Sequence, residues 1–267
     1  MRSFGIVLAI TLCAMASLVV IAAAPQAAPS SPGDVDPTLV EDLVYANRIL
    51  YDQGVLDGFG HVSMRDPRNA NRFLLSRSMA PALVTAADIL AYDRDGAPLN
   101  AGDRRLYLER FIHAAIYRAR PDVRAIVHSH SPSLIPFGVT RTPLRPLYHM
   151  SAFLGAGTPV FDIRDVAGVT DMLISDNQLG DALAKALGDH TALLLRGHGA
   201  VNVGTTIPQV VFRAVYTETN ARLQAEAMRL GTVTYLSPEE AAKAAAAVDG
   251  QLLRAWDLWR ARIGKIE

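Results

Sequence analysis

Three histidines and one glutamate have the residue types and local spacing of a metal site. His128 and His130 lie in AIVHSHS, His198 lies in LLLRGHGAV, and Glu109 lies in YLERFIHAA. Because side chains alternate between the two faces of a β-strand, His128 and His130 are expected to point the same way after the apolar run 125–127. Three neutral imidazoles leave a divalent ion with an open position, which is the arrangement of a catalytic site. The sequence therefore predicts a metal centre, with the Glu109 carboxylate beside it as a general base.

The alternative interpretation is that each histidine is a separate core or turn residue. One His-x-His pair alone would favour that alternative, but His198 stands between two glycines at the end of a predicted strand, which favours a shared site. Three imidazoles suit Zn²⁺, and the residue types do not exclude Mn²⁺, Fe²⁺, Co²⁺ or Ni²⁺. His113 lies one helical turn after Glu109, so it either orients that carboxylate or packs within its own helix.

Composition and charge narrow the class of protein. The chain has 267 residues, half of them hydrophobic, and 26 basic side chains balance 26 acidic ones. That length is enough for one sizeable hydrophobic core. Zero formal net charge and the lack of a basic run give no support to a nucleic-acid partner. The single cysteine, Cys13, excludes an intrachain disulfide.

The first thirty residues carry a targeting pattern. A positively charged start, MRS, precedes the almost wholly apolar stretch 6–24 and then the segment 25–33, which is rich in proline and serine. This order predicts a secretory signal peptide and linker over residues 1–30, cleaved between Ala22 and Ser30. An uncleaved membrane anchor is the alternative, since the apolar stretch approaches the ~20 residues that span a bilayer. Alanines crowd its distal end, so we expect export to the periplasm or beyond, without stable membrane insertion after processing.

Helices are predicted from capping residues and apolar periodicity. Asp36-Pro37 predicts the start of a helix that Gly54 ends, and Ser237 with Glu240 predicts a capping box at the start of the last helix. Further helices are predicted over 106–119, 179–187 and 208–230. The face predicted to be buried on the longest of these carries Val211, Val215, Thr219 and Leu223.

Short apolar runs between these helices predict strands at 73–75, 90–92, 123–130, 159–161 and 191–195. Strands and helices alternate along the chain, so the fold class is α/β with a mixed central sheet between helices. No low-complexity stretch or interdomain linker follows residue 36. We therefore expect residues 36–267 to form a single domain.

Four motifs together resemble the class II aldolase/adducin family: GHVS at 60–63, ERFIH at 109–113, HSH at 128–130 and RGHG at 196–199. The similarity runs from about Val40 to Leu230. It implies a three-layer α/β/α sandwich in which His128, His130 and His198 bind Zn²⁺ or another divalent ion and Glu109 is the acid/base carboxylate. The resemblance also implies a homo-oligomer, since aldolases of the group form cyclic tetramers. The adducin branch has lost the metal ligands, which this chain keeps.

The chain departs from the family where sugar-phosphate members hold their phosphate. His61 stands at the asparagine position of the Gly-Asn segment, SRSMAP at 76–81 replaces the Thr-Gly segment, and Tyr107-Leu108 replaces the paired serines before Glu109. Small residues and backbone N–H groups are what let a phosphate approach closely, so a sugar-phosphate substrate is disfavoured. Arg77 suits a carboxylate instead, because its guanidinium forms paired hydrogen bonds with one; a solvated loop charge is the alternative. The residues predicted to bind substrate are His61, Ser76, Arg77 and Ser78.

The chain also resembles a branch of the family that decarboxylates hydroxylated aromatic or ring-opened acids. This closer similarity lies in SRSMAP, YLERFIHAAIYRARPDV, HSHSPSLIPFGV, PLYHMSAF and FRAVYTETNARLQ. It implies a metal-dependent decarboxylase in which Glu109, Tyr148 or His149 delivers a proton. An aldolase or epimerase acting on a hydroxy-carbonyl or sugar-derived substrate is the first alternative. A non-catalytic exported metal-binding protein is the second.

Overall fold

The structure is a computed structural model that describes Met1 and residues 35–266. The predicted signal peptide falls almost wholly on residues 2–34, which lie outside the described part of the chain. Within the described part, no helix has both the length and the apolar character required to cross a bilayer.

Within residues 35–266, seven strands form one mixed sheet in the order β3-β2-β1-β4-β7-β6-β5. All neighbours are antiparallel except β5 and β6, which are parallel. The strands are β1 His61–Arg65, β2 Arg72–Ser76, β3 Ile89–Asp93, β4 Ala125–Ser129, β5 Val160–Phe161, β6 Ala192–Leu195 and β7 Gly199–Gly204.

Eight α-helices accompany the sheet in the described residues: α1 Pro37–Asp52, α2 Arg110–Ala119, α3 Ile135–Val139, α4 Arg164–Ala167, α5 Asn177–Leu187, α6 Ile207–Leu230, α7 Pro238–Asp249 and α8 Leu252–Ile263. Short 3-10 helices lie at Pro81–Leu83, Ala86–Asp88 and His149–Leu154. The Asp36 carboxylate caps α1, and Ser237 and Glu240 form the predicted capping box of α7. These local signals set the helix starts correctly because the capping groups are adjacent in sequence.

Alternate strand residues enter two hydrophobic cores on opposite faces of the sheet. Leu74, Ala91 and Val127 pack with α1, α6 and α8, whereas Phe73 and Ile126 pack with α2 and α5. This alternation makes the protein a three-layer α/β/α sandwich, because each sheet face buries its apolar side chains against a separate helical layer. The predicted fold class is therefore confirmed. Trp256 and Trp259 belong to the first of these cores.

Several predicted elements differ from the structure. Helix α2 begins at Arg110 instead of residue 106, because Tyr107 turns its hydroxyl to the Met79 carbonyl and its own carbonyl accepts from Arg110. Leu223 is exposed, so the predicted buried face of α6 is wrong at that position. Its buried face instead includes the polar side chains of Asn220 and Gln224, which bond the backbone of residues 143–147. The sequence did not predict β1 or β7.

Candidate metal centre

The β4 strand and the turn between β6 and β7 bring the three predicted histidines together. His128 lies on β4, His130 lies one residue beyond its end, and His198 lies in the turn before β7. A Cβ atom on Gly199 would lie 2.0 Å from the Ser129 carbonyl oxygen, so only glycine lets the two backbones approach this closely. The glycine that flanks His198 therefore serves the site by allowing this contact between strands.

Ligand atoms of four residues converge on one point. The Nε2 atom of His130 lies 3.2 Å from Nε2 of His128 and 3.1 Å from Nε2 of His198. Glu109 Oε2 lies 3.3 Å from Nε2 of His128 and 3.4 Å from Nε2 of His198. The four ligand atoms all lie within 4.8 Å of one another.

Backbone carbonyls fix the proton position on two of these rings. Nδ1 of His128 lies 3.1 Å from the Ala200 carbonyl oxygen, and Nδ1 of His198 lies 2.9 Å from the Met172 carbonyl oxygen. A carbonyl only accepts, so each Nδ1 carries the hydrogen and donates it. Both Nε2 atoms therefore present lone pairs to the cluster, the tautomer that a metal-binding histidine adopts.

The cluster fits a divalent ion. Tetrahedral Zn²⁺ with bonds of ~2.0–2.1 Å to nitrogen and oxygen places neighbouring ligand atoms ~3.3–3.4 Å apart. The separations of 3.1–3.4 Å between the cluster atoms match that spacing. With lone pairs on both His128 and His198, one hydrogen on His130 could satisfy only one of the two nitrogens, whereas a shared cation would satisfy all the ligand atoms at once.

The electrostatics of the cluster keep its carboxylate charged. When no ion is bound, burial raises the pKa of Glu109, but the charge and hydrogen bonds that His128 and His198 supply when protonated outweigh burial and hold this pKa well below its usual range. Burial, with the neighbouring histidines, lowers the pKa of His130 to about 4. Burial also lowers the pKa of His198, but the hydrogen bond and charge of Glu109 prevail and leave it above its usual value. The second carboxylate oxygen of Glu109, Oε1, accepts from the Ile174 backbone N–H at 3.1 Å, which orients the group.

His61 forms one wall beside this cluster. It lies directly opposite His128 in the antiparallel β1–β4 register, so both side chains project from the same sheet face. Its ring centroid lies 5.1 Å from that of His128 and 4.4 Å from that of Tyr107. The residue before it, Gly60, has φ +85°, and a Cβ atom there would lie 2.9 Å from the His128 carbonyl oxygen. Gly60 therefore allows β1 to begin beside the histidines.

Comparison with known proteins decides the family. Residues 41–225 match the profile described as Class II Aldolase and Adducin N-terminal domain. The chain belongs to this family.

Individual proteins that the chain resembles include decarboxylases and an aldolase. Decarboxylase tropJ of Talaromyces stipitatus is 34% identical over 244 residues, covering 82% of this chain and 92% of the relative. A 3,4-dihydroxyphthalate decarboxylase of Arthrobacter keyseri is 30% identical over 206 residues, covering 72% of this chain and 79% of the relative. The solved structure of L-fuculose 1-phosphate aldolase from Glaciozyma antarctica PI12 has a TM-score of 0.66 at 29% identity, covering 79% of this chain and 81% of the aldolase. These relatives support a lyase-type enzyme.

Within this class II aldolase fold, the predicted site residues fall into two groups. Glu109 and the three histidines meet in the cluster, and His61 lies beside them. Ser76 lies 3.5 Å from the Tyr107 hydroxyl, which connects it to the His61 wall.

The remaining predicted residues lie apart from the cluster or are already paired. Arg77 pairs through Nε with Asp88 Oδ1 at 2.6 Å, so part of its guanidinium is already used. The Ser78 backbone N–H donates to the Arg105 carbonyl. His149 lines a cavity of about 420 Å³ with residues of α6, α7 and α8. The ring of Tyr148 packs edge-on against the ring of His149. No contact within the described residues joins Tyr148 or His149 to the four-residue cluster.

The sequence did not reveal the partner of His113. Its ring nitrogens lie 2.6 Å from His61 Nδ1 and 2.6 Å from Ser63 Oγ, and no hydrogen bond to Glu109 occurs among the described residues. Of the two alternatives for His113, the bonds to His61 and Ser63 therefore speak against orientation of Glu109, and its full burial agrees with a packed residue. Helical spacing pointed to the neighbour four residues away, whereas the actual partners come from β1, some fifty residues earlier.

Proposed function

We propose that this chain is a divalent-metal-dependent carbon–carbon lyase that decarboxylates a hydroxylated aromatic or ring-opened carboxylic acid. The observation that carries the proposal is the convergence of three imidazole Nε2 atoms and the Glu109 carboxylate at 3.1–3.4 Å separations. A homo-oligomer and Zn²⁺ as the ion are parts of the same proposal. A divalent ion bound there would act as a Lewis acid that stabilises the negative charge left on the substrate when CO₂ departs.

The protein side chains bind and orient the acid and supply its proton. The bond between the substrate carbon and its carboxyl group breaks, the electron pair stays on the substrate, and a new C–H bond forms with a proton from the enzyme. Glu109 is the nearest acid/base group, because its Oε2 atom lies among the ligand atoms. Its low pKa makes it a carboxylate at neutral pH, so it must first take up the proton that it later returns, for instance from a substrate hydroxyl.

The residues beside the cluster favour a flat acid over a sugar phosphate. His61 and Tyr107 pack against each other, with their rings tilted by 45°, where sugar-phosphate members keep small residues, and both are aromatic groups that favour contact with an aromatic ring. The named relatives agree with this choice, since one is a 3,4-dihydroxyphthalate decarboxylase. Arg77 is the proposed partner of a second carboxylate, with Ser76 and Ser78 beside it in the chain.

The direct test is CO₂ release from 3,4-dihydroxyphthalate and related hydroxy acids by zinc-loaded protein. We expect turnover that is lost in His128→Ala and retained in His190→Ala, a partly buried histidine bonded to the Gly157 carbonyl outside the cluster. Wild-type turnover in His128→Ala would refute the role of the metal site.

The same preparation discriminates the alternatives. Aldehyde release from hydroxy-carbonyl or sugar-derived acids, without CO₂, would replace the decarboxylase by an aldolase. A bound ion with no turnover on either panel would favour a non-catalytic metal-binding protein.

A further inference from the structure

A continuous chain of four buried polar side chains leads from the His61 wall into the protein interior. His61 Nδ1 lies 2.6 Å from His113 Nε2, His113 Nδ1 lies 2.6 Å from Ser63 Oγ, and Ser63 Oγ lies 2.8 Å from the Tyr117 hydroxyl. His113 and Ser63 are fully buried, and the other two are nearly so. We call these four residues the His61 chain. Most polar groups buried this deep are hydrogen-bonded, and each hydroxyl or neutral imidazole here has a single hydrogen, so one donor assignment fixes the others along the His61 chain.

The direction follows from the far end of the chain. The single hydrogen of the Tyr117 hydroxyl has two possible acceptors, Ser63 Oγ at 2.8 Å and the Arg124 carbonyl at 3.4 Å. Either oxygen of the Tyr117–Ser63 contact could donate. We assign the Tyr117 hydrogen to Ser63 because that contact is the shorter of the two. Ser63 then uses its own hydrogen for His113 Nδ1, the only other partner of its hydroxyl among the described residues.

The two imidazoles extend this donor assignment to the ring of His61. Because Nδ1 of His113 accepts, its hydrogen is on Nε2 and is donated to Nδ1 of His61. The hydrogen of neutral His61 is therefore on Nε2, the ring nitrogen outside the chain. A neutral imidazole carries only one such hydrogen, and the partner of one nitrogen decides which nitrogen holds it.

Packing around the His61 chain holds its inner end, Tyr117, in place. Phe73 stacks on the His113 ring at 6.4 Å and contacts the Tyr117 ring at 5.4 Å. The Arg65 guanidinium lies 4.7 Å from the Tyr117 ring centroid and donates to the Tyr117 and Val123 carbonyls. Tyr117 is thus fixed by its ring, its backbone and its hydroxyl, which makes it a firm anchor for the bonds that follow.

We propose that His113, Ser63 and Tyr117 are positioning residues that lock His61 as the neutral Nε2–H tautomer, so that this N–H donates a hydrogen bond to a substrate oxygen. The last clause rests on the proposed function. A neutral N–H fixed in advance stabilises an oxygen that gains negative charge as CO₂ leaves, and it does so without reorganisation. His61 is the substrate-contacting group, and the other three act through it.

The tautomer can be measured without any assay of activity. The protein has seven histidines, so selective ¹⁵N labelling of histidine in the zinc-loaded protein gives a sparse long-range ¹H–¹⁵N spectrum in which each ring shows which nitrogen is protonated. His61→Gln and His113→Gln identify the two signals by their loss. We expect Nε2–H at both residues in the wild type, and a mixture at His61 in Ser63→Ala. Nδ1–H at His61 in the wild type, or a tautomer unaffected by Ser63→Ala, would overturn the proposal.

Kinetics test the same proposal on a substrate that the enzyme turns over. We expect kcat to fall about tenfold in Ser63→Ala, the scale of one lost hydrogen bond, and less in Tyr117→Phe, which keeps the Ser63 bond to His113. KM should change little. In the His61→Gln background, Ser63→Ala should cause no further loss, because its effect passes through His61. Equal losses in both backgrounds would show a merely structural role and overturn the proposal.

Tyr92→Phe is the matched control for Tyr117→Phe. Tyr92 is also buried and stacks on Phe73, at 5.2 Å, but its hydroxyl has no hydrogen-bond partner within the described residues. This control should leave kcat and the His61 tautomer unchanged. If no hydroxy acid is turned over, the proposed decarboxylation fails, and the tautomer measurement still decides whether the His61 chain positions His61.

Discussion

At the scale of single residues, a hydrogen bond at one ring nitrogen of His128 and of His198 fixes the protonation state of the other ring nitrogen. Their Nδ1 atoms donate to the Ala200 and Met172 carbonyls, which leaves both Nε2 lone pairs facing the cluster. Glu109 differs from them, since one carboxylate oxygen is held by the Ile174 N–H and the other lies among the ligand atoms. These two imidazoles are thus oriented as ligands of the proposed ion, whereas Glu109 has the geometry of either a ligand or an acid/base group.

Glu109→Gln separates these two roles. The amide cannot exchange a proton, so turnover should fall by about 10²–10⁴-fold, the usual contribution of a general acid/base. The three imidazoles remain, so we expect about one bound zinc per chain, measured by elemental analysis. Glu226→Gln, which alters an exposed pair with Arg229 on α6, should retain both properties. Loss of zinc together with turnover would contradict the acid/base role and make Glu109 an essential ligand.

His113 gives a prediction for stability against pH in the metal-free protein. Burial and the charge of His128 lower its pKa from 6.5 to about 3, so the folded state holds it neutral while the unfolded state takes up a proton below pH 6.5. As the pH falls from 6.5 towards 3, His113 therefore lowers the free energy of unfolding by up to about 1.4 kcal/mol per pH unit. Urea unfolding of His113→Gln between pH 6 and pH 5 should show a shallower fall than the wild type. An unchanged slope would contradict this account.

At the scale of elements, two glycines bring the strands of the site together. Gly199 passes the Ser129 carbonyl, and Gly60 starts β1 beside the His128 carbonyl. The flanking glycines of GHG and the glycine of GHVS are visible in the sequence, but the sequence does not show why glycine is required at these positions. It depends on which strands become neighbours, and β1 pairs with β4 although some sixty residues separate them.

Gly60→Ala tests this requirement. The new Cβ would meet Leu56 and the His128 carbonyl at a positive φ of +85°, so we expect a loss of at least about 2 kcal/mol in the free energy of unfolding, together with weaker zinc binding. Gly58→Ala is the control, because nothing lies within 4 Å of its added Cβ. It should stay within about 0.5 kcal/mol of the wild type by chemical denaturation. Equal effects of the two substitutions would contradict the argument.

At the scale of the whole molecule, the sequence predicted those features whose causes are local. Caps at Asp36 and Ser237 set helix starts, and the apolar runs of 73–75, 90–92 and 191–195 became strands β2, β3 and β6. Features caused by distant contacts were missed. The polar face of α6 is buried because Asn220 and Gln224 form hydrogen bonds with the segment 143–147. The His61 chain likewise joins β1 to α2, which are some fifty residues apart in the sequence.

The candidate site divides along the same line. The four residues of the cluster could be named from residue type and spacing, since metal ligands form a small set. The partners of His113 could not, because its nearest acid in sequence is Glu109 while its nearest groups in space are His61 and Ser63.

Export is a proposal at this scale, and intact mass tests it. If residues 1–30 act as a signal peptide, protein recovered from its native host should begin between Ala22 and Ser30 or shortly after, and it should fractionate outside the cytoplasm. A variant with aspartates within the apolar stretch 6–24 should keep its full mass and stay inside the cell. A retained Met1 on the wild-type protein would contradict the proposed cleavage.

The central claim is that one ion is held by His128, His130 and His198 with a position left for substrate. X-ray absorption at the zinc edge, on protein loaded with one equivalent of zinc, tests it most directly. We predict three imidazole nitrogens and one or two oxygens at ~2.0–2.1 Å, with an oxygen shell that changes when a hydroxy acid is added. A spectrum with fewer than three imidazoles, or one identical in His198→Ala, would contradict the claim.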